Sequence, residues 1–457
     1  MIMNVPDFAK LKTRLTNPNS LVTDLAGWEA YFQDATEETG RPAAVVLAES
    51  ESDVVATVRF ARKTGLPVIP RGAGTGLSGG CVPSPGSLVL STERMKKLEI
   101  DATTATAVCG PGVITKELLD AAAPHGLTYP PDPASYAECT LGGNVAENAG
   151  GLRCKRFGVT RDYIIGLRAV AADGSVIATG ACNNQRGFAL GDILIGSEGT
   201  LAIVTEIAVR LIPTPSVGGT ILAAFDDPTD AARTVSEITE AGIIPTVMEY
   251  LDGDAAECSN RYEKTEGLDR VAAILLIETT SEAETAQADA IRGFCEQNHA
   301  SYLRTATDPA RVEELWRIRR NLSKAVREMA RFRYNEDVAV PVSRFMTLIE
   351  FVAELNASSP LRVNAFGHAG NGNLHVSFLS MTGDEDEIGL IKQETERLYR
   401  KTLALGGTLT GEHGIGSHKA AFLPWEFDPP TLEFMRRIKE VFDPEGLLNP
   451  GKILPAE

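Results

Sequence analysis

The chain has 457 residues, 43% of them hydrophobic and 23% charged, a composition that fits two or three folded domains and excludes wholesale disorder. Its 44 Lys and Arg against 61 Asp and Glu leave a formal charge of −17, a field that disfavours nucleic acid as a partner. No apolar run reaches membrane-span length, the opening MIMNVPDFAKLKTRL lacks the core and cleavage site of a secretory signal, and seven cysteines without a CxxC argue against a disulfide framework or a cysteine zinc site.

Residues 1–215 read as alternating strands and short helices. PAAVVLAE (42–49) predicts a strand, and Val54, Val55, Val58 and Ala61 then fall at helical spacing. Ser50 with Asp53 supplies a start signal and Gly65 a stop. LPVIP (66–70) resumes an extended run. Asp173-Gly174 between two β-rich runs predicts a hairpin, and LAIVTEIAVRLIPTP (201–215) a long strand ending at a domain boundary. From 216 to 405 the strands TILAAF, TVMEYL, VAAILLIE and SYLRTA alternate with helical patterns at about 228–241, 281–298 and 309–329. From 406 the glycine-rich style of the first block returns, so the segment 406–457 is expected to pack back on that domain.

Five glycines crowd residues 71–80, where Gly74, Gly76 and Gly79 make a literal GxGxxG. A dinucleotide fingerprint needs a helix at its third glycine, but two prolines and a strand follow here, so a Rossmann unit is excluded. Phosphate would have to be held by bare backbone amides; alone, the loop is equally well a flexible turn. Two further motifs add context. In 129–151, Pro130, Pro131 and Pro133 stiffen a turn beside Gly142, Gly143, Gly150 and Gly151, and Gly196-Ser197-Glu198-Gly199 precedes a strand. Together the three loops read as walls of one cofactor groove.

This set resembles the vanillyl-alcohol oxidase family of flavoproteins. The resemblance implies an α+β, two-domain fold with a non-Rossmann FAD-binding domain (1–215, core from about 40), a substrate or cap domain (216–405) and a returning tail (406–457). It implies that Arg71, Gly72, Ala73, Gly74, Thr75, Gly76, Leu77, Ser78 and Gly79 wrap the FAD pyrophosphate. Pro131, Asp132, Thr140, Gly143 and Asn144 would line the flavin and its phosphates, with Glu198 and Ile203 near adenine and ribose, and Asn449 in the closing NPGK. The first two loops hold no histidine for covalent attachment, so FAD is expected to be dissociable. Cys139 reads as a small buried residue.

Four of the six histidines fall in two short C-terminal motifs, 366–375 and 411–418. Imidazoles with a carboxylate suit a borderline divalent ion, and clustering favours a metal or catalytic role over four unrelated structural histidines. The pair of motifs resembles the D-lactate, glycolate and D-2-hydroxyglutarate dehydrogenase branch of the family. By that resemblance His368, His375 and Glu412 are metal ligands, His413 is the general base, and His418 is structural. Zinc is the expected ion, with manganese and iron as alternatives.

Residues 316–333 carry seven Lys and Arg against Glu328 alone. Most belong to a solvated helix face. The resemblance selects Arg319 as the clamp on the substrate carboxylate and Ser323 as a hydrogen-bond donor. The 2-hydroxyglutarate pattern has a lysine where this chain has Asn335, so a substrate of the D-lactate or glycolate type is expected. The expected reaction is FAD-dependent, metal-assisted oxidation of a D-2-hydroxy acid, with electrons passed to a quinone, cytochrome or electron-transferring flavoprotein. The alternatives are a D-2-hydroxyglutarate dehydrogenase, a non-redox flavoenzyme of the same fold, and a metal-dependent hydrolase. A cytoplasmic homodimer without a transmembrane span, at most peripheral to the membrane, completes the expectation.

Overall fold

The computed structural model describes residues 7–36, 38–182, 188–265, 267–280 and 284–455; the first six residues and the start of the predicted 281–298 helix lie outside them. The chain forms two compact units. One comprises Met1–Gly150, Gly158–Thr214 and Glu412–Glu457, and the other Gly151–Phe157 and Pro215–Gly411.

The first unit holds two sheets. Strands β1 (Leu21–Val22), β2 (Ala44–Leu47), β3 (Val68–Arg71) and β4 (Leu88–Ser91) are ordered β1-β2-β4-β3. β2 and β3 both run parallel to β4, as the helix Glu51–Thr64 between them requires. That helix starts where Ser50 accepts the Asp53 amide and stops at Gly65, whose φ of 69° suits glycine. Its Val54, Val58 and Ala61 stripe packs on Val46, Val68, Leu88 and Leu90. Each fully buried valine contributes about 1.5–3 kcal/mol.

The second sheet joins β5 (Leu98–Asp101), β6 (Thr106–Cys109), β7 (Ile164–Ala171), β8 (Val176–Gly180) and β9 (Ala202–Arg210) in the order β5-β6-β9-β7-β8, all antiparallel. Gly174, at φ 78°, turns the β7–β8 hairpin as Asp173-Gly174 predicts. The predicted long strand ends at Arg210; Ile212–Pro213 then pairs separately with Leu127–Thr128.

The second unit is built on one antiparallel sheet of β10 (Val217–Phe225), β11 (Val247–Asp252), β12 (Ala273–Thr280), β13 (Tyr302–Ala306), β14 (Phe332–Ala339), β15 (Arg362–Gly367) and β16 (Asn373–Ser380), ordered β13-β10-β12-β11-β15-β16-β14. The predicted 309–329 helix is two helices, Pro309–Arg320 and Leu322–Glu328. They meet at Asn321, whose side-chain amide donates to Glu263 at 2.8 Å. Among the described residues no helix is long and apolar enough to cross a membrane.

Candidate active site

In the first unit the three glycine-rich loops are tied to one another. No helix follows Gly79, in keeping with the exclusion of a Rossmann unit. The second loop contains a short helix, Leu141–Glu147, despite Gly142 and Gly143. Tertiary contact overrides propensity there: Thr140 caps the helix by accepting the Gly143 amide at 3.3 Å, and Asn144 donates to Thr115 at 2.8 Å. A Cβ on Gly72 would stand 2.3 Å from the Thr140 hydroxyl, which explains how closely the first two loops approach. Asn449 joins the first and third loops, donating from Nδ2 to the carbonyls of Gly80 at 2.8 Å and Glu198 at 2.7 Å.

Arg71 braces the first loop from beneath. Its guanidinium donates to the carbonyls of Gln33 (2.7 Å) and Ala30 (2.8 Å), and a Cβ on Gly74 would collide with it. Gly72, Ala73, Gly74, Thr75, Gly76 and Leu77 are half-exposed, while Ser78 and Gly79 are buried. Pro131 is buried, Asp132 half-buried, and Ile203 packs in the hydrophobic core. Cys139 is buried against Thr115, and burial raises its thiol pKa. His418 pairs with Glu38 at 3.0 Å.

This groove fits a polar, extended cofactor. A Cβ on Gly76 would have nothing nearer than Asp34 Oδ2 at 3.9 Å, so the loop leaves room for a ligand along its backbone. Ser78 Oγ, Asp34 Oδ2 and Glu147 Oε2 are buried with no hydrogen-bond partner among the described residues. Glu198 accepts the amides of Ile415 and Gly416, each at 2.7 Å. Burial raises its carboxyl pKa to about 7 against those amides, and burial together with Glu198 and Asp34 lifts Glu147 well above the usual range.

In the second unit, β15 and β16 pair antiparallel across the motif at 366–375, with Phe366 opposite His375. The rings of His368 and His375 meet edge to face, with centroids 5.4 Å apart. Each has a fully buried carboxylate at Nδ1: Glu249 lies 2.5 Å from His368, and Asp337 3.3 Å from His375. Only the Glu249 contact is a hydrogen bond; it fixes the His368 tautomer and leaves Nε2 as a donor atom for a metal, while Asp337 lies beside His375 as a nearby charge.

Arg319 donates from Nε to the other oxygen of Glu249 at 2.6 Å. Burial alone would raise the Glu249 pKa; His368 and Arg319 outweigh it and hold the carboxyl at about 2. The Ser323 hydroxyl accepts from Arg333 at 3.1 Å. Asp337 also accepts from Asn373 Nδ2 (2.6 Å) and the Gly411 amide (2.7 Å). Gly411 closes the second unit, and Glu412 and His413, both half-buried, follow it in the chain as part of the first.

Sequence reasoning had overlooked Glu249 and Asp337. Glu249 carried a signal, because it shares a strand face with Val247 and Leu251, where a lone charge asks for a partner.

Comparison with known proteins gives this arrangement a family. Residues 214–453 match the family described as FAD linked oxidases, C-terminal domain, and residues 42–180 match the FAD binding domain. The chain belongs to the FAD-linked oxidases. This FAD-linked oxidase is 36% identical over 457 residues to the glycolate oxidase subunit GlcD of Bacillus subtilis (strain 168), covering 99% of this chain and 97% of that protein. It is 35% identical over 440 residues to the D-lactate dehydrogenase of Archaeoglobus fulgidus, covering 93% and 96% respectively. Its fold is that of vanillyl-alcohol-oxidase-type flavoproteins: it superimposes on p-cresol methylhydroxylase with a TM-score of 0.81 at 15% identity, covering 98% of this chain and 96% of that one. The FAD-linked oxidase is therefore an oxidoreductase.

Proposed function

We propose that this oxidoreductase converts a D-2-hydroxy acid to its 2-oxo acid. The substrate presents the 2-hydroxy-carboxylate head of glycolate and D-lactate, and its electrons leave through FAD to a non-nicotinamide acceptor. The observation that carries the reading is the His368–His375 pair, each imidazole backed by its own buried carboxylate. Such a pair suits a divalent ion, and the glycolate- and lactate-oxidising relatives support the substrate head.

In this reading His368, His375 and Glu412 hold the ion, zinc being the first candidate. Bound FAD supplies the hydride acceptor, and the bound ion supplies Lewis acidity at the substrate hydroxyl. His413 accepts the hydroxyl proton as the carbon–hydrogen bond delivers its electron pair and the carbonyl forms. Covalent adjacency supports its role, since Gly411 is anchored on the Asp337 that backs His375. Arg319, steadied by Glu249 through Nε, keeps its Nη donors for the substrate carboxylate.

An anaerobic visible spectrum tests the proposal. Bleaching of the flavin band near ~450 nm by D-lactate, glycolate or D-2-hydroxyglutarate is expected. A flavin band that no 2-hydroxy acid bleaches would refute the substrate class.

A further inference from the structure

Two guanidinium groups lie against the ring of Phe366, Arg319 with Cζ 5.1 Å and Arg333 with Cζ 5.5 Å from its centroid. They are balanced differently. Arg319 is neutralised by Glu249. Arg333 donates only to neutral acceptors: Nε to Ser377 Oγ at 3.0 Å, Nη1 to Ser323 Oγ at 3.1 Å and Nη2 to Asn335 Oδ1 at 2.9 Å. No carboxylate pairs with it among the described residues. Three bonds out of five donors leave one N–H on each Nη for a further acceptor, and a carboxylate offers two oxygens to such a pair. Burial lowers the guanidinium pKa to about 10, with Arg327 and Arg319 adding repulsion, so an anion at this spot relieves an existing cost.

The sheet register sets the scale. Asp337 stands opposite His375, and Asn335 opposite Ser377. The guanidinium is pinned at the Ser377–Asn335 level, one pleat repeat or roughly 7 Å along the strand from the His375 level. A 2-hydroxy-carboxylate head engaged at the histidines leaves that distance for the rest of the substrate.

We propose that Arg333, positioned by Ser323, Asn335 and Ser377, binds a second carboxylate at the far end of the substrate, so that the preferred 2-hydroxy acid is a dicarboxylate. The inference rests on the 2-hydroxy-acid reading for the head group. It revises the expectation drawn from Asn335: the lysine is absent, but Asn335 orients an arginine two residues upstream on the same strand.

The test measures binding separately from turnover. Calorimetric titration of the FAD-loaded enzyme with 2-oxoglutarate and with pyruvate is expected to show the dicarboxylate bound at least about tenfold tighter. Arg333→Met should erase that ratio, and Arg333→Met with Asn335→Lys should restore part of it. Ser323→Ala, which frees Nη1 alone, should reduce the ratio and serves if Arg333→Met does not load FAD. Equal affinities in the wild type, or an unchanged ratio in an FAD-loaded variant at position 333, would overturn the proposal. Failure of the head-group reading would show separately, as a flavin that neither D-lactate nor D-2-hydroxyglutarate bleaches.

Discussion

His368 and Glu249, 119 residues apart, meet through a 2.5 Å contact between Nδ1 and Oε1 in which both side chains are buried. The carboxylate faces Arg319 on its other side, so one group orients both a candidate metal ligand and the candidate carboxylate clamp. Glu249→Gln keeps the shape and removes the charge. It is expected to lower metal affinity by about 10- to 100-fold, read as metal content after dialysis against graded chelator. Unchanged retention would mean that the His368 tautomer is fixed by something else.

His413→Asn should leave FAD bound and slow flavin reduction by substrate by roughly 10²- to 10⁴-fold. Stopped-flow bleaching with a saturating 2-hydroxy acid measures this. A wild-type rate would remove His413 from the reaction.

Chelation should separate the two bound groups. Removing the divalent ion is expected to abolish substrate-dependent bleaching while the flavin absorbance stays with the protein, and restoring zinc or manganese should recover the rate. Loss of FAD alongside the metal would contradict a metal set centred on His368 and His375.

The raised carboxyls of Glu147 and Glu198 make stability depend on pH. The Glu198 carboxyl is raised from 4.5 to about 7, and burial is the leading cause. Folded chains therefore hold a proton that unfolded chains have released, so this contribution is fully present below about 4.5 and is lost as pH rises through about 7. Glu147 is raised in the same direction, and its Oε2 has no hydrogen-bond partner among the described residues. Glu147→Gln should raise the melting temperature at pH 8 and flatten the decline between pH 5 and 7. Melting curves across that range in the FAD-free protein decide it, and a variant less stable at pH 8 would show that the Glu147 charge is favourable.

Gly72→Ala should weaken FAD binding by at least about tenfold, because its Cβ would stand 2.3 Å from the Thr140 hydroxyl and push apart two loops that the cofactor is expected to bridge. Quenching of free FAD fluorescence on titration with apoprotein gives the affinity. An unchanged value would move the cofactor away from this junction.

Local chemistry determined much of this protein. The helix Glu51–Thr64 was legible from Ser50, Gly65 and a 3.6-residue stripe, and the β7–β8 hairpin from Asp173-Gly174, because caps and tight turns involve neighbours in the chain. The cofactor loops and the histidine motifs were legible because glycines crowd together there and four of the six histidines fall in two short motifs. What only the tertiary structure decided is which charges are paired. With 61 acidic residues in the chain, nothing next to Asp337 marks it as buried, and the apolar strand face around Glu249 asks for a partner without naming it. Sheet register brings Glu249 to His368, and the pairing of β14 with β16 brings Asp337 to His375 and Arg333 to Ser377. The same pairing leaves Arg333 with neutral partners, a fact about charge balance that only long-range packing creates.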